Sequence, residues 1–273
     1  MTKTYVLTGS TSGIGLALLK ELSKYNIVFA GFRNEEKCKQ LGFYENKNII
    51  PFYIDMTDED SIEKAAEFIS ENTSVIDSLI NAAGCVIAGV VQEIDLNEIR
   101  KQFEVNTFSH LSLTQKLLPL LKNGKIINIS SMASFGIFPF VSPYCASKRA
   151  LDILFNSLEL ENKYNIKYVS IKPGVIATPL WSKSIELNKE SLKNENYKKE
   201  CEYLLKNAYK NESCGLSTDK VVEIILKADR AKNPKSSYTV GIDSKLAQII
   251  SLLPQDILNK LIKIGMKLKI KDK

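Results

Sequence analysis

The chain is predicted to fold as a single α/β unit, a doubly wound parallel sheet with helices on both faces. Short apolar runs alternate along it with longer stretches whose apolar positions recur every three or four residues. Strands joined by helix-length connections need right-handed crossovers, and so form a parallel sheet. A glycine-rich stretch, Thr8-Gly9-Ser10-Thr11-Ser12-Gly13-Ile14-Gly15, stands between the first predicted strand and the first predicted helix. In an open parallel sheet, that turn is where backbone can approach a pyrophosphate at a helix N-terminus.

In chain order, strands are expected near residues 4–8, 27–30, 49–54, 76–80, 125–129, 167–171 and 237–240. Helices are expected near 13–25, 35–41, 58–71, 95–121, 143–163 and 218–231. The first helix shows the apolar face most simply, through Ile14, Ala17, Leu18 and Leu22. After Pro173-Gly174 the alternation breaks. Residues 179–216 are rich in lysine and glutamate with scattered anchors (Leu180, Trp181, Tyr197, Leu204, Tyr209), and read as a substrate lid. Residues 244–273 read as a helical tail, in which Ile257, Leu261, Ile264 and Leu268 recur at helical spacing. No internal repeat or low-complexity linker divides the chain, so residues 1–273 are taken as one domain.

With 44% hydrophobic and 25% charged residues, the composition is that of a soluble globular protein. The formal charge of +6 is uneven: residues 256–273 hold six lysines against two aspartates, a net +4, leaving +2 for the other 255 residues. A nearly neutral body argues against a nucleic-acid-binding surface. The basic amphipathic tail is compatible with peripheral contact to an anionic membrane, or with packing on the body or a partner subunit. Cys38, Cys85, Cys145, Cys201 and Cys214 form no CxxC pair and are odd in number, so no metal site and no disulfide framework is expected. A reducing cytoplasm fits best. No secretory signal and no membrane span is expected.

The stretch Ser142-Pro143-Tyr144-Cys145-Ala146-Ser147-Lys148 carries the most chemistry. Ser142 suits an N-cap and Pro143 the first helical position, which places Tyr144 and Lys148 as i and i+4 neighbours on one face. An ammonium ~6 Å from a phenol, at an effective dielectric of about 20, favours the phenolate by roughly 2.8 kcal/mol. Tyr144 is therefore expected to be acidified into a usable acid/base. Cys145 points to another helix face and is expected to pack; His110, the only histidine, is expected on a helix surface.

Taken together, the TGxxxGIG turn and the YxxxK pair resemble the short-chain dehydrogenase/reductase family, from about residue 4 to 179. Further motifs follow in family order: Asp55-Met56, Asn81-Ala82-Ala83-Gly84, Asn106, Ile129-Ser130-Ser131, and Pro173-Gly174-Val175-Ile176-Ala177-Thr178. The resemblance implies a hydride transfer between a nicotinamide dinucleotide and a carbonyl or secondary alcohol. It implies a catalytic set of Asn106, Ser131, Tyr144 and Lys148, with Ser131 thirteen positions before Tyr144 as is usual in the family. It implies a cofactor site formed by Gly9, Thr11, Ser12, Gly13, Ile14, Gly15, Asp55, Met56, Asn81, Ala82, Ala83, Gly84, Tyr144, Lys148, Pro173, Gly174, Ile176 and Thr178. Phe32 stands where NAD-preferring relatives carry an acid, which frees Arg33 to pair with a 2′-phosphate, so NADP is expected, with NAD as the alternative. Ser12 stands where some NADP users have a basic residue.

The lid anchors and the long tail resemble steroid, retinoid or related lipophilic-alcohol dehydrogenases more than beta-ketoacyl carrier-protein reductases, which remain an alternative reading. A second alternative is a redox sensor that binds NADP(H) without turnover. Family resemblance also suggests a homodimer or homotetramer, paired through the helices that begin near 95 and 143.

Overall fold

A computed structural model describes residues 2–161, 163–188 and 195–271. Residues 189–194 of the predicted lid, residues 272–273 of the predicted tail and the side chain of Leu268 lie outside the described residues.

Seven strands form one parallel sheet: β1 (Thr4–Leu7), β2 (Ile27–Phe32), β3 (Ile49–Tyr53), β4 (Ser78–Asn81), β5 (Lys125–Ile129), β6 (Lys167–Pro173) and β7 (Ser237–Val240). Their order is β3-β2-β1-β4-β5-β6-β7, and every pairing is parallel. The chain winds outward from β1 to β3, then returns to β4 beside β1 and winds the other way. Crossovers diverge at that β1/β4 boundary, and the crevice they leave at the carboxyl ends is where such sheets take a ligand.

Both faces are covered, and the period-two alternation shows how. Leu7, Val28, Ala30, Ile80 and Val169 point to one face, under α1 (Gly13–Leu22) and α9 (Thr218–Arg230). Val6, Phe29, Leu79, Ile126 and Tyr168 point to the other, under α3 (Glu59–Asn72), α5 (Ser109–Leu117) and α6 (Ser142–Glu161). α3 contributes Ile62 and Ile69, both fully buried, each worth roughly 1.5–3 kcal/mol of transfer free energy. Asp58 caps that helix by accepting a hydrogen bond from the Asp60 N–H. α2 (Glu35–Gln40) begins just after β2 and is capped by Asn34.

The long helix expected near 95–121 is broken. α4 (Leu96–Phe103) runs into a π-helical turn at Glu104–Phe108 before α5 begins, and a 3-10 turn carrying Pro119 ends the stretch at Leu118–Leu121. A π turn takes up one residue more than an α turn and is frequent at functional sites. Here it turns Asn106 and Thr107 inward, where Thr107 Oγ1 donates to the Ser147 carbonyl of α6 at 2.9 Å.

Beyond Pro179 the described residues form α7 (Leu180–Leu187), α8 (Lys198–Cys214) and α9, then β7, α10 (Ile242–Ile250) and α11 (Gln255–Lys271). The predicted tail is therefore two helices, separated at Ser251–Pro254 where Pro254 ends the run. No described helix is long and apolar enough to cross a membrane.

Candidate active site

A cavity of about 1060 Å³ opens at the carboxyl ends of the strands. One end is walled by the glycine turn, through Gly9, Thr11, Ser12, Gly13, Ile14 and Gly15. Gly9 has φ +67°, and a Cβ there would lie 2.7 Å from the Ala83 nitrogen, so this residue lets the ends of β1 and β4 meet. Thr8 Oγ1 fastens the junction by accepting from the N–H groups of Ala82 and Ala83 at 3.1 and 3.2 Å. Ser12 precedes α1 in an extended conformation, makes no side-chain cap, and no acid occupies the first turn. The helix's first N–H groups thus face the cavity without an internal acceptor, an arrangement suited to a phosphate.

Arg33 and Met56 line the same end, as do Ala82, Ala83 and Gly84. Pro173, Gly174, Ile176 and Thr178 line the cavity as well, Thr178 close to the glycine turn: a Cβ on Gly13 would lie 3.4 Å from its Cγ2. Two residues of the expected cofactor site stand behind the surface. Asp55 does not line the cavity: its Oδ1 accepts from the Thr57 N–H and Oγ1 at 2.9 and 2.8 Å, leaving Met56 and Thr57 as the wall. Asn81 is fully buried, donating from Nδ2 to Asn128 Oδ1 at 2.8 Å across the β4/β5 pair.

At the reaction end, α6 presents Tyr144 and Lys148 to the cavity together with Ser131 from the end of β5. Lys148 Nζ lies 6.0 Å from the Tyr144 ring centroid and donates to the Ile129 carbonyl at 2.9 Å. The Ser131 hydroxyl lies beside the Tyr144 phenol and acts to favour its phenolate, while Ser131 Oγ accepts from the Ala133 N–H at 3.1 Å. Asn106 is brought close without lining the cavity: its Oδ1 accepts from the Cys85 N–H, while Nδ2 donates to the Cys85 carbonyl and to Ser147 Oγ. A Cβ on Gly84 would sit 3.3 Å from Asn106 Oδ1 and 3.5 Å from Lys148 Nζ, so that glycine fills the gap between the two.

The electrostatics correct the expectation of an acidified tyrosine. Burial pushes Tyr144 up to about 12, with only the Ser131 hydroxyl opposing it. Burial also lowers Lys148 to about 8, with the nearby charge of Asp152 opposing. Desolvation outweighs the tyrosine–lysine attraction because both groups sit in the same dry wall. At neutral pH Tyr144 is therefore a phenol, poised to give a proton rather than take one.

His110 is likewise not on a helix surface. It is fully buried, with Nε2 3.0 Å from the Ala83 carbonyl, and burial together with the charge of Lys148 lowers it to about 3. Neutral at pH 7, it donates Nε2–H to that carbonyl and holds the end of β4. Cys145 is buried with its thiol pushed up, in keeping with a packing role.

Sequence reasoning missed the substrate-side wall. Phe135, Ile137, Phe138 and Phe140, in the aperiodic segment between β5 and α6, line the cavity with Tyr203 and Leu204 of α8. Phe140 adopts φ +68°, and its carbonyl accepts from the Gly89 N–H at 2.8 Å. Leu246 and Ile250 of α10 and Leu258, Ile262 and Met266 of α11 complete this end. Asp152 was missed as well, although it lies four residues beyond Lys148 and continues the tyrosine–lysine face.

With this geometry in view, comparison with known proteins is direct. The family model for short chain dehydrogenase matches residues 3–189. The chain belongs to the short-chain dehydrogenase family. Its class is thus that of an oxidoreductase. An NADPH-dependent 3-dehydrocapnine reductase from Ornithobacterium rhinotracheale is 33% identical to this short-chain dehydrogenase over 271 residues, covering 94% of each chain. A probable short-chain type dehydrogenase/reductase, VdlC, from Helicobacter pylori is 32% identical, covering 96% of this chain and 98% of the relative. Among solved structures, a short-chain dehydrogenase from Streptomyces avermitilis superposes with a TM-score of 0.75 at 22% identity, over 100% of this chain and 98% of that one. One from Burkholderia cenocepacia in complex with NADP gives 0.73 at 21% identity, over 96% and 97%. These two likenesses concern the fold.

Proposed function

We propose that this short-chain dehydrogenase transfers a hydride between NADP(H) and a carbonyl or secondary alcohol of a lipophilic compound. The reading is carried by the phenol of Tyr144, which lines the same cavity as Ser131, Lys148 and the open glycine turn. The nicotinamide, when bound, supplies or accepts the hydride. Ser131 holds the substrate oxygen beside Tyr144, and Tyr144 gives that oxygen its proton in the reductive direction. A positioned acid of this kind is worth about 10²- to 10⁴-fold. Lys148 sits one turn behind, fixed by the Ile129 carbonyl, and keeps a positive charge at the buried end of the site. Asn106 positions the Cys85 backbone and Ser147, and so the floor on which Lys148 rests.

NADP is favoured over NAD by Arg33, which lies exposed at the cavity edge beside Phe32 rather than beside an acid. Glu35 is paired with Lys39 at 2.9 Å and is thereby turned away from a ribose. The Ornithobacterium relative, named as NADPH-dependent, supports the same cofactor. A lipophilic substrate is favoured by the aromatic and aliphatic wall from Phe135 to Phe140 and from α8, α10 and α11. A beta-ketoacyl carrier-protein reductase and a sensor without turnover are the competing readings. NADPH oxidation over a panel of steroids, retinoids, aliphatic ketones and ketoacyl thioesters tests all three. Turnover confined to thioesters, or absent throughout despite tight NADPH binding, overturns the proposal, and a higher kcat/KM with NADH overturns the cofactor assignment.

Two surface readings accompany it. On α10, α11 and the turn between them, Ile242, Leu252 and Ile264 are 84%, 83% and 57% exposed alongside Lys260 and Lys263, which favours contact with an anionic membrane. Phe108 and Ile153, 49% and 54% exposed on the π turn and α6, favour pairing of these helices in a dimer or tetramer. None of the five cysteines forms a disulfide, which fits a reducing cytoplasm. Flotation with anionic liposomes and sedimentation of the free protein check the first two.

A further inference from the structure

The glycine turn has no basic residue of its own: its third variable position is Ser12. The fold brings one there from the far end of the sequence. Lys183, on α7, reaches across the cavity mouth and places Nζ 3.5 Å from Ser12 Oγ, a contact between residues 171 positions apart. Both residues line the cavity, as does Arg33.

Three cations gather here. Burial, and after it the charges of Lys37 and Arg33, hold the Lys183 ammonium below the ordinary lysine range, so both cations stand within electrostatic reach of Lys183. Among the described residues none of the three has a carboxylate partner. The one acid nearby with a recorded ion pair, Glu35, is taken by Lys39. Like charges held together without a counter-ion disfavour one another; a bound dianion adds to each an attraction that offsets this repulsion. The positions are specific as well. Arg33 directly follows β2 and Lys183 reaches Ser12 at the start of α1, and both line the cavity between these elements.

We propose that Lys183 determines cofactor specificity, by supplying from the lid the cation that Ser12 does not, so that Arg33 and Lys183 clamp the 2′-phosphate of NADP between them. The inference rests on the NADP reading above and adds a consequence to it: the 2′-phosphate holds α7 against the nucleotide half. The reduced form of the cofactor, the oxidised form and 2′,5′-ADP share this phosphate, so all three report on it without turnover.

Calorimetric titration of the full chain with 2′,5′-ADP, 5′-ADP, NADPH and NADH provides the test, on the wild type and on Lys183→Met, Lys183→Arg and Arg33→Ala. Lys183→Met is expected to weaken 2′,5′-ADP and NADPH by roughly 10- to 100-fold, the size of one charge-assisted hydrogen bond, and to leave 5′-ADP and NADH unchanged. Lys183→Arg is expected to restore most of the loss. Trp181, the only tryptophan, lies two residues away on α7, and its emission should respond to 2′,5′-ADP in the wild type and not in Lys183→Met. Equal weakening of 2′,5′-ADP and 5′-ADP would place Lys183 on the pyrophosphate and overturn the inference, as would unchanged affinity for both. If Arg33→Ala weakens NADPH while Lys183→Met does not, the lid lysine alone fails. If the wild type binds NADH as tightly as NADPH, the NADP reading fails first and takes the clamp with it.

Discussion

Two buried aspartates, Asp229 and Asp152, sit on opposite faces of the sheet and gather nearly the same partners. Asp229, on α9, accepts from Ser78 Oγ at 2.6 Å, Tyr5 OH at 2.8 Å and Lys3 Nζ at 2.9 Å. Asp152, on α6, accepts from Ser170 Oγ at 2.7 Å and Tyr168 OH at 3.2 Å, and pairs with Lys172 at 2.6 Å. The difference lies in what each cluster adjoins. Asp229 ties the amino ends of β1 and β4 to α9, away from the cavity. Asp152 stands one turn beyond Lys148 and favours its charged form, while Lys172 lies 4.5 Å over the ring of Phe135, a cavity residue. The same serine, tyrosine and lysine donors thus anchor the sheet at one end and set the charge behind the site at the other.

If that division holds, function and stability separate by location. Tyr144→Phe is expected to lower kcat by about 10²- to 10⁴-fold while NADPH affinity and thermal midpoint stay near wild type. Comparable turnover in that variant would remove Tyr144 from the chemistry and leave the carboxyl end without an acid. Asp229→Ala strands the buried Tyr5 and Ser78 hydroxyls and should cost about 2–3 kcal/mol in urea unfolding, with kcat retained below the transition. A loss of kcat at unchanged stability would show that the amino-end cluster reaches the site after all. Asp152→Asn removes the nearby charge that most favours protonated Lys148, so the alkaline fall in reductive kcat/KM, expected near pH 8 in the wild type, should move to lower pH. An unmoved profile would reduce Asp152 to a second anchor.

A pH-dependent effect is expected at His110. Its value is 6.5 when unperturbed and about 3 in the folded chain. As pH falls below 6.5 the unfolded chain takes up a proton that the folded one refuses, so stability is lost at up to about 1.4 kcal/mol per pH unit toward pH 3. His110→Gln should flatten urea midpoints between pH 4.5 and 6.5; an unchanged slope would mean that His110 is not buried neutral.

What could be read from the sequence was what repeats locally. The glycine turn, the strand–helix alternation and the i, i+4 spacing of Tyr144 and Lys148 are short-range patterns, and the fold places them where those patterns point. His110 escaped because the π turn at Glu104–Phe108 takes up an extra residue and rotates everything after it relative to an unbroken helix. Asp229 meets Tyr5 across 224 residues, and Lys183 meets Ser12 across 171; no periodicity encodes either encounter. The tyrosine's acidity was misjudged for another reason. Charge spacing can be read from a helix, but the desolvation opposing it depends on walls contributed by β5, the Phe135–Phe140 segment and the lid.

The left-handed Phe140 bears on how this protein can change. A bulky side chain at φ +68° costs about 1–2 kcal/mol relative to a relaxed backbone, and that cost is lodged in the loop that shapes the substrate wall. Substitution by asparagine or glycine would relieve it and remove a ring from the wall at once. Variants drifting toward greater stability at this position would therefore also drift toward a broader range of substrates.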